Sequence, residues 1–217
     1  MAKVHPNAAD PERQPPQGDQ EEPRQPPTVL TVWRKSLLFN CHGFTVFDAN
    51  GDLAFRVDCY AASRRRAEVV LMDVAGKPLL TVRRKRLSLT EHWVIYDGDA
   101  AEPKSRPLLS VRRHVSLRSS SKAVAHVTPH ASAAAASAAE YVVEGSYGRR
   151  ACAVRDARGD AVAEVRRKES VGDDVFRLVA DPRLGAPLAM GLVITLDEMF
   201  GAGRGSARSL LRRTWSV

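Results

Sequence analysis

The sequence predicts a mainly β domain in which about ten to twelve short strands surround one apolar helix near the C-terminus. Three observations carry this prediction. One hairpin frame occurs three times, a second strand frame ending in Val-Arg-Arg overlaps it, and the segment Ala186 to Phe200 is apolar around most of a helical circumference. Hydrophobic residues make up 44% of the 217 residues, enough for a core of ordinary size.

Residues 1–27 contain seven prolines and no aromatic residue. Such a segment buries too little apolar surface to offset its ordering entropy and is expected to be a disordered tail. The domain is expected to span 28–201, opening on a strand at Thr28 to Trp33, with a basic tail over 202–217.

The hairpin frame appears at Asp48-Ala49-Asn50-Gly51, Asp73-Val74-Ala75-Gly76 and Asp156-Ala157-Arg158-Gly159. Each copy closes on a valine six residues after the glycine: Val57, Val82 and Val165. Asp bonds its own backbone at the turn entry, and Gly supplies the positive φ where the chain reverses. The second frame runs Leu79-Leu80-Thr81-Val82-Arg83-Arg84-Lys85 and is echoed by Leu108-Leu109-Ser110-Val111-Arg112-Arg113-His114. Val165-Arg166-Arg167-Lys168 is a partial third copy. Both full copies are expected to continue as strands to Leu89 and Leu117. Leu80 and Val82 then have one parity while Leu87 and Leu89 have the other, which a bulge near Arg83–Arg84 would reconcile.

Further strands are expected at His92 to Tyr96, Ala123 to Val127, Tyr141 to Tyr147 and Val175 to Val179, with loops over 60–67 and 97–107. Residues 131–139 are an alanine-serine run with no distinct faces and are expected to form a flexible loop. Strands first and helix last exclude a βαβ arrangement and leave a barrel or a sandwich. A helix apolar all round must be surrounded, and a sheet closed around it is the simplest solution. Pro187 and Gly201 are placed as its start and stop. The same segment is too short for the ~20 apolar residues of a bilayer span.

These residues resemble the plant LURP-one-related family, which is similar in fold to the tubby C-terminal domain and to phospholipid scramblases. The resemblance rests on Leu30-Thr31-Val32-Trp33-Arg34-Lys35-Ser36-Leu37, Phe44 to Gly51, Phe55-Arg56-Val57-Asp58, Val70 to Asp73 and Pro78 to Lys85, and extends over roughly 28–200. It implies a closed twelve-stranded antiparallel barrel around an apolar C-terminal helix. It also implies membrane association, tubby-like membrane-tethered regulation and a link to plant defence. A calcium site of the scramblase type would need six to eight oxygen ligands. Asp173-Asp174 is only a pair, so scramblase-like lipid transfer is the weakest of the implied activities.

No catalytic motif stands out, and the chain is expected not to be an enzyme. Cys41 and His42 are neighbours on a strand and point to opposite faces. Ser119-Ser120-Ser121 lacks the glycines of a nucleophile elbow, and no metal-ligand spacing or phosphate-cradling glycine loop occurs. No cofactor or metal is expected. The three cysteines, Cys41, Cys59 and Cys152, form no disulfide pattern. The N-terminus lacks the apolar region of a signal peptide. A cytoplasmic monomer, peripheral at the plasma membrane or partly nuclear, is expected.

Charge gives the functional lead. The chain carries +8 overall, but residues 1–27 hold three basic and five acidic residues, so the remainder carries +10. The candidate binding residues are Arg83, Arg84, Lys85, Arg112, Arg113, Arg166, Arg167 and Lys168, which would converge if the Val-Arg-Arg copies occupy equivalent hairpin positions. Arg suits phosphate because its fork binds two oxygens at once. The expected partner is anionic phospholipid or phosphoinositide. The alternatives are an unidentified protein partner, or charges that merely solvate strand faces and protect edges. Nucleic acid is disfavoured, because aromatic residues are only 6% and none alternate with the arginines.

Overall fold

In a computed structural model of the protein, the described residues are 25–38, 41–60, 68–88, 90–102, 105–115, 122–130, 140–168, 172 and 174–201. The expectations for residues 1–24, 131–139 and 202–217 lie outside them, as do Leu89 and Leu117.

Alternating burial builds the wall. In β1 (Thr28–Trp33), Leu30 and Val32 point inward, and in β4 (Glu68–Met72) the inward residues are Val69 and Leu71. The other strands are β2 (Cys41–Phe47), β3 (Leu53–Tyr60), β5 (Pro78–Arg84), β6 (His92–Asp97), β7 (Pro107–Arg113) and β8 (Ala123–Pro129). They continue with β9 (Tyr141–Ser146), β10 (Ala151–Arg155), β11 (Ala161–Arg167) and β12 (Val175–Ala180). Each pairs antiparallel with its sequence neighbours. β1 pairs with β12 from Thr28↔Ala180 to Trp33↔Val175, which closes the barrel and leaves no free sheet edge.

The repeated turn has the chemistry its residues dictate. The Asp48 carboxylate accepts the backbone N–H of Asn50 and Asp52 at 2.8 and 2.9 Å. Asp156 accepts those of Arg158 and Asp160, and Asp73 that of Lys77. Gly51, Gly76 and Gly159 take φ of 90, 87 and 89°, a conformation costly for any residue with a Cβ.

The helix α1 (Ala186–Phe200) fills the barrel. Every residue from Ala189 to Leu196 is buried, so all sides of two turns are covered. Pro187 stands in the first turn and the Gly201 N–H caps Asp197 O. Its last turn is tied to the wall: Arg34 Nε donates to Asp197 Oδ1 at 2.9 Å and Tyr147 Oη donates to the same oxygen at 3.2 Å. Burial and the Asp197 charge push the Tyr147 hydroxyl well above its ordinary value, so it stays a donor. Among the described residues, no helix is long and apolar enough to cross a membrane.

The bulge expected at Arg83–Arg84 is absent. The β5–β6 ladder runs unbroken from Leu80↔Asp97 to Arg84↔Trp93. Parity is resolved differently: β5 stops at Arg84, β7 stops at Arg113, and Leu87 is 97% exposed. The observed irregularities lie elsewhere, at Val46/Phe47, Leu71/Met72, Ile95/Tyr96, Ala123/Ala125 and Val154/Arg155.

Candidate functional site

Antiparallel order sorts the connections between the two ends of the barrel. Every link from an even strand to an odd one, and the link from β12 to α1, lies at one end. Every link from an odd strand to an even one lies at the other. The first end carries the Asp48, Asp73 and Asp156 turns, with Asp99 and Asp181. The second carries Arg34, Lys35, Arg84, Lys85, Arg86, Arg113, Arg149, Arg150 and Lys168. The three Val-Arg-Arg copies therefore share one end. They do not share one side: β5 and β7 flank β6, while β11 stands six strands from β5 in either direction, across the barrel. The expected convergence holds for Arg83, Arg84, Lys85, Arg112 and Arg113, and fails for Arg166, Arg167 and Lys168.

Ion pairing divides the set further. Arg83 donates to Glu68 at 2.8 Å and lies over the Tyr96 ring. Arg113 pairs with Glu91 at 3.0 Å and lies over Phe200, and Arg166 pairs with Glu164. Arg84, Lys85 and Arg112 make no ion pair among the described residues. Arg150, at φ 52°, is buried between the rings of Tyr147 and Phe176 at 4.4 and 4.3 Å, so it packs the basic end instead of presenting charge.

Arg84 and Lys85, with the paired Arg83, line a groove of about 270 Å³ on the outer wall that also takes in His92, Ser110 and His130, and Arg112 lies opposite His92. Register assembles the site. Lys85 N bonds His92 O, His92 lies opposite Arg112, and Arg112 lies opposite His126. Lys85, His92, Arg112 and His126 thus form one row across β5 to β8. Ser110 Oγ sits 3.3 Å from His92 Nε2 and 2.9 Å from His130 Nε2. His126 Nε2 lies 2.9 Å from His114 Nδ1. Burial, then Arg112, Lys85 and His130, hold the His92 imidazolium below its ordinary 6.5, so the ring is neutral at pH 7. The arrangement offers N–H and O–H donors and positive charge, which suits an oxyanion. Among the described residues no group of three His, Cys, Asp or Glu side chains could hold a metal.

A second groove, of about 360 Å³, lies over β9 to β11. Glu144 and Glu164 there already pair with Arg155 and Arg166, which leaves Lys122 as a single lining cation with no ion pair among the described residues. Cys152 lines it, but burial pushes the thiol up to about 11, which makes it inert. The side chains of Cys41 and Cys59 lie outside the described set.

The model of the LURP-one-related family matches residues 28–197 of this chain. The chain belongs to the LURP-one-related family. Protein LURP-one-related 8 of Arabidopsis thaliana is 46% identical over 180 residues, covering 79% of this chain and 87% of the relative. Protein LURP-one-related 5 of the same plant is 41% identical over 181 residues, covering 79% and 83%. An Arabidopsis thaliana protein solved by X-ray crystallography shares the fold, with a TM-score of 0.57 at 23% identity over 80% of this chain and 91% of that one. The closed twelve-stranded antiparallel barrel with one C-terminal helix is the architecture that the resemblance implied.

The basic half of this candidate site was legible in the sequence, and the rest was not. His92, Ser110, His126 and His130 come from three different strands and the end of one of them. Only cross-strand register brings them together, and no local pattern encodes that.

Proposed function

We propose that the protein is a noncatalytic, membrane-tethered regulator that binds anionic lipid headgroups, phosphoinositide above all, at the β5–β8 wall. The observation that carries this reading is that Arg84 and Lys85, without carboxylate partners among the described residues, line the His92–Ser110–His130 groove, with Arg112 opposite His92 in register. Arg84 and Arg112 supply forks for phosphate oxygens, Lys85 a point charge, and Ser110 a hydroxyl. Each cation near an anionic leaflet contributes ~1 kcal/mol, so the three together account for about a hundredfold in partitioning.

Sedimentation with phosphatidylinositol bisphosphate vesicles tests the reading. The Arg84→Ala/Lys85→Ala/Arg112→Ala variant is expected to lose about a hundredfold in partitioning at low salt. The Arg166→Ala/Arg167→Ala/Lys168→Ala variant, across the barrel, is expected to lose far less. Equal loss in both would mean diffuse charge, and no loss in the first would sink the site. Raising the salt should erase the difference, because exposed charges are screened.

Protonation gives a second expectation. His92 is neutral at pH 7, and a bound anion favours its charged form, so binding takes up a proton and tightens as pH falls from about 7.5 to 5.5. Phosphatidylglycerol vesicles suit this measurement, since the phosphodiester does not titrate there. His92→Gln should reduce the slope, and an unchanged slope would remove His92 from the site. Without ligand the sign reverses. The folded His92 binds its proton less readily than an unfolded histidine, so stability is lost as pH falls through 6.5 and below.

A further inference from the structure

The largest exposed apolar side chains of the described residues are Leu37, Leu38, Leu87, Val115 and Val74. Leu37 and Leu38 follow β1, Leu87 follows β5 and Val115 follows β7, so these four lie at the basic end. Only Val74 lies at the acidic end. Leu87 is 97% exposed and Val115 66%. Single exposed apolar residues are ordinary on any surface; their collection at one end is what calls for a cause.

We propose that the barrel docks end-on against an anionic bilayer, with Leu87, Val115 and the Leu37–Leu38 pair entering the interfacial layer. This rests on the lipid-binding reading and adds to it an orientation and an apolar anchor. The tips leave the rim between β1 and β2, between β5 and β6, and between β7 and β8. Three points around a ring define a plane. Cations flank two of them, Lys35 beside Leu37 and Lys85 and Arg86 beside Leu87, while Arg113 beside Val115 is paired with Glu91. Weak apolar insertion combined with basic charge is the two-signal arrangement that peripheral attachment requires. The opposite end carries the Asp turns and would be repelled, so only one polarity is favourable. A protein partner fits less well. The tips are separated by strand-end cations instead of forming the contiguous patch of about 800 Å² per partner that a stable interface buries.

Tryptophan placed at a tip reports insertion, with the parent protein, which contains Trp33, Trp93 and Trp215, as background. With brominated phosphatidylglycerol vesicles, Leu87→Trp is expected to blue-shift and to be quenched beyond the parent, while Val74→Trp is not. Leu87→Asp/Val115→Asp is expected to lower vesicle partitioning at least about tenfold while leaving soluble inositol trisphosphate binding unchanged. If the parent does not pellet with vesicles at all, the lipid reading falls and the docking with it. If the parent pellets through Arg84, Lys85 and Arg112 but Leu87→Trp stays unquenched, headgroup binding stands and end-on docking is overturned. A lipid-independent blue shift that grows with protein concentration would instead assign the tips to a second copy of the chain, which also overturns the proposal.

Discussion

Leu192→Ala is expected to destabilise the barrel by about 2–5 kcal/mol and to lower its melting midpoint by about 5–20 °C. Leu192 is 1% exposed and borders the same small internal cavity as Val154, Ala163 and Leu178, on three successive strands. Truncation would enlarge a space that is already incompletely filled, and a closed wall cannot easily contract around it. Leu192→Asp should go further and prevent folding, because the carboxylate would have no polar partner in the barrel centre. Thermal unfolding followed by far-UV circular dichroism distinguishes these outcomes. The result also bears on the helix itself. If α1 were a detachable anchor, the wall would hold without it and Leu192→Ala would be nearly silent.

Gly43→Ala is expected to cost at least about 4 kcal/mol, the range in which single substitutions report a specific structural conflict. Gly43 lies in β2 opposite Asp58 of β3, with φ 155°. A Cβ at position 43 would stand 1.7 Å from the Val57 carbonyl oxygen. That oxygen is backbone, so relief requires parting two strands of a closed sheet. Gly148→Ala provides the contrast, since a Cβ there meets nothing within 4 Å, and its stability should stay within about 0.5 kcal/mol of the parent. Chemical denaturation of both proteins settles the comparison. A Gly43→Ala protein as stable as Gly148→Ala would mean that β2 and β3 sit farther apart than described.

Local chemistry was legible in the sequence and cross-strand relations were not. The helix bounds at Ala186 and Phe200 follow from an apolar run with Pro187 at its start and Gly201 past its end, all within a few residues of one another. The Asp-x-x-Gly turns were legible for the same reason. The misplaced bulge had a non-local cause. Where β5 stops depends on its pairing with β6, which Leu87 and its neighbours do not encode. The basic pairs were visible as residues, but their partners were not. Glu68 neutralises Arg83 from β4, Glu91 neutralises Arg113 from the end of the β5–β6 connection, and Glu164 neutralises Arg166 from the same strand, two residues away. Only barrel order reveals that β11 faces away from β5 and β7.

The seam between β1 and β12 governs when this protein can fold. Thr28 must meet Ala180, residues from opposite ends of the domain, and no earlier pairing completes the cylinder. Loop-closure entropy rises with the length enclosed, and folds dominated by distant pairings are slow. The filling arrives later still, because α1 is translated after every strand that surrounds it. A nascent chain therefore carries eleven or twelve strands whose inward valines and leucines have no helix to cover them. Completion is expected only after α1 has emerged from the ribosome, which makes the preceding interval the one in which chaperones matter most for the protein.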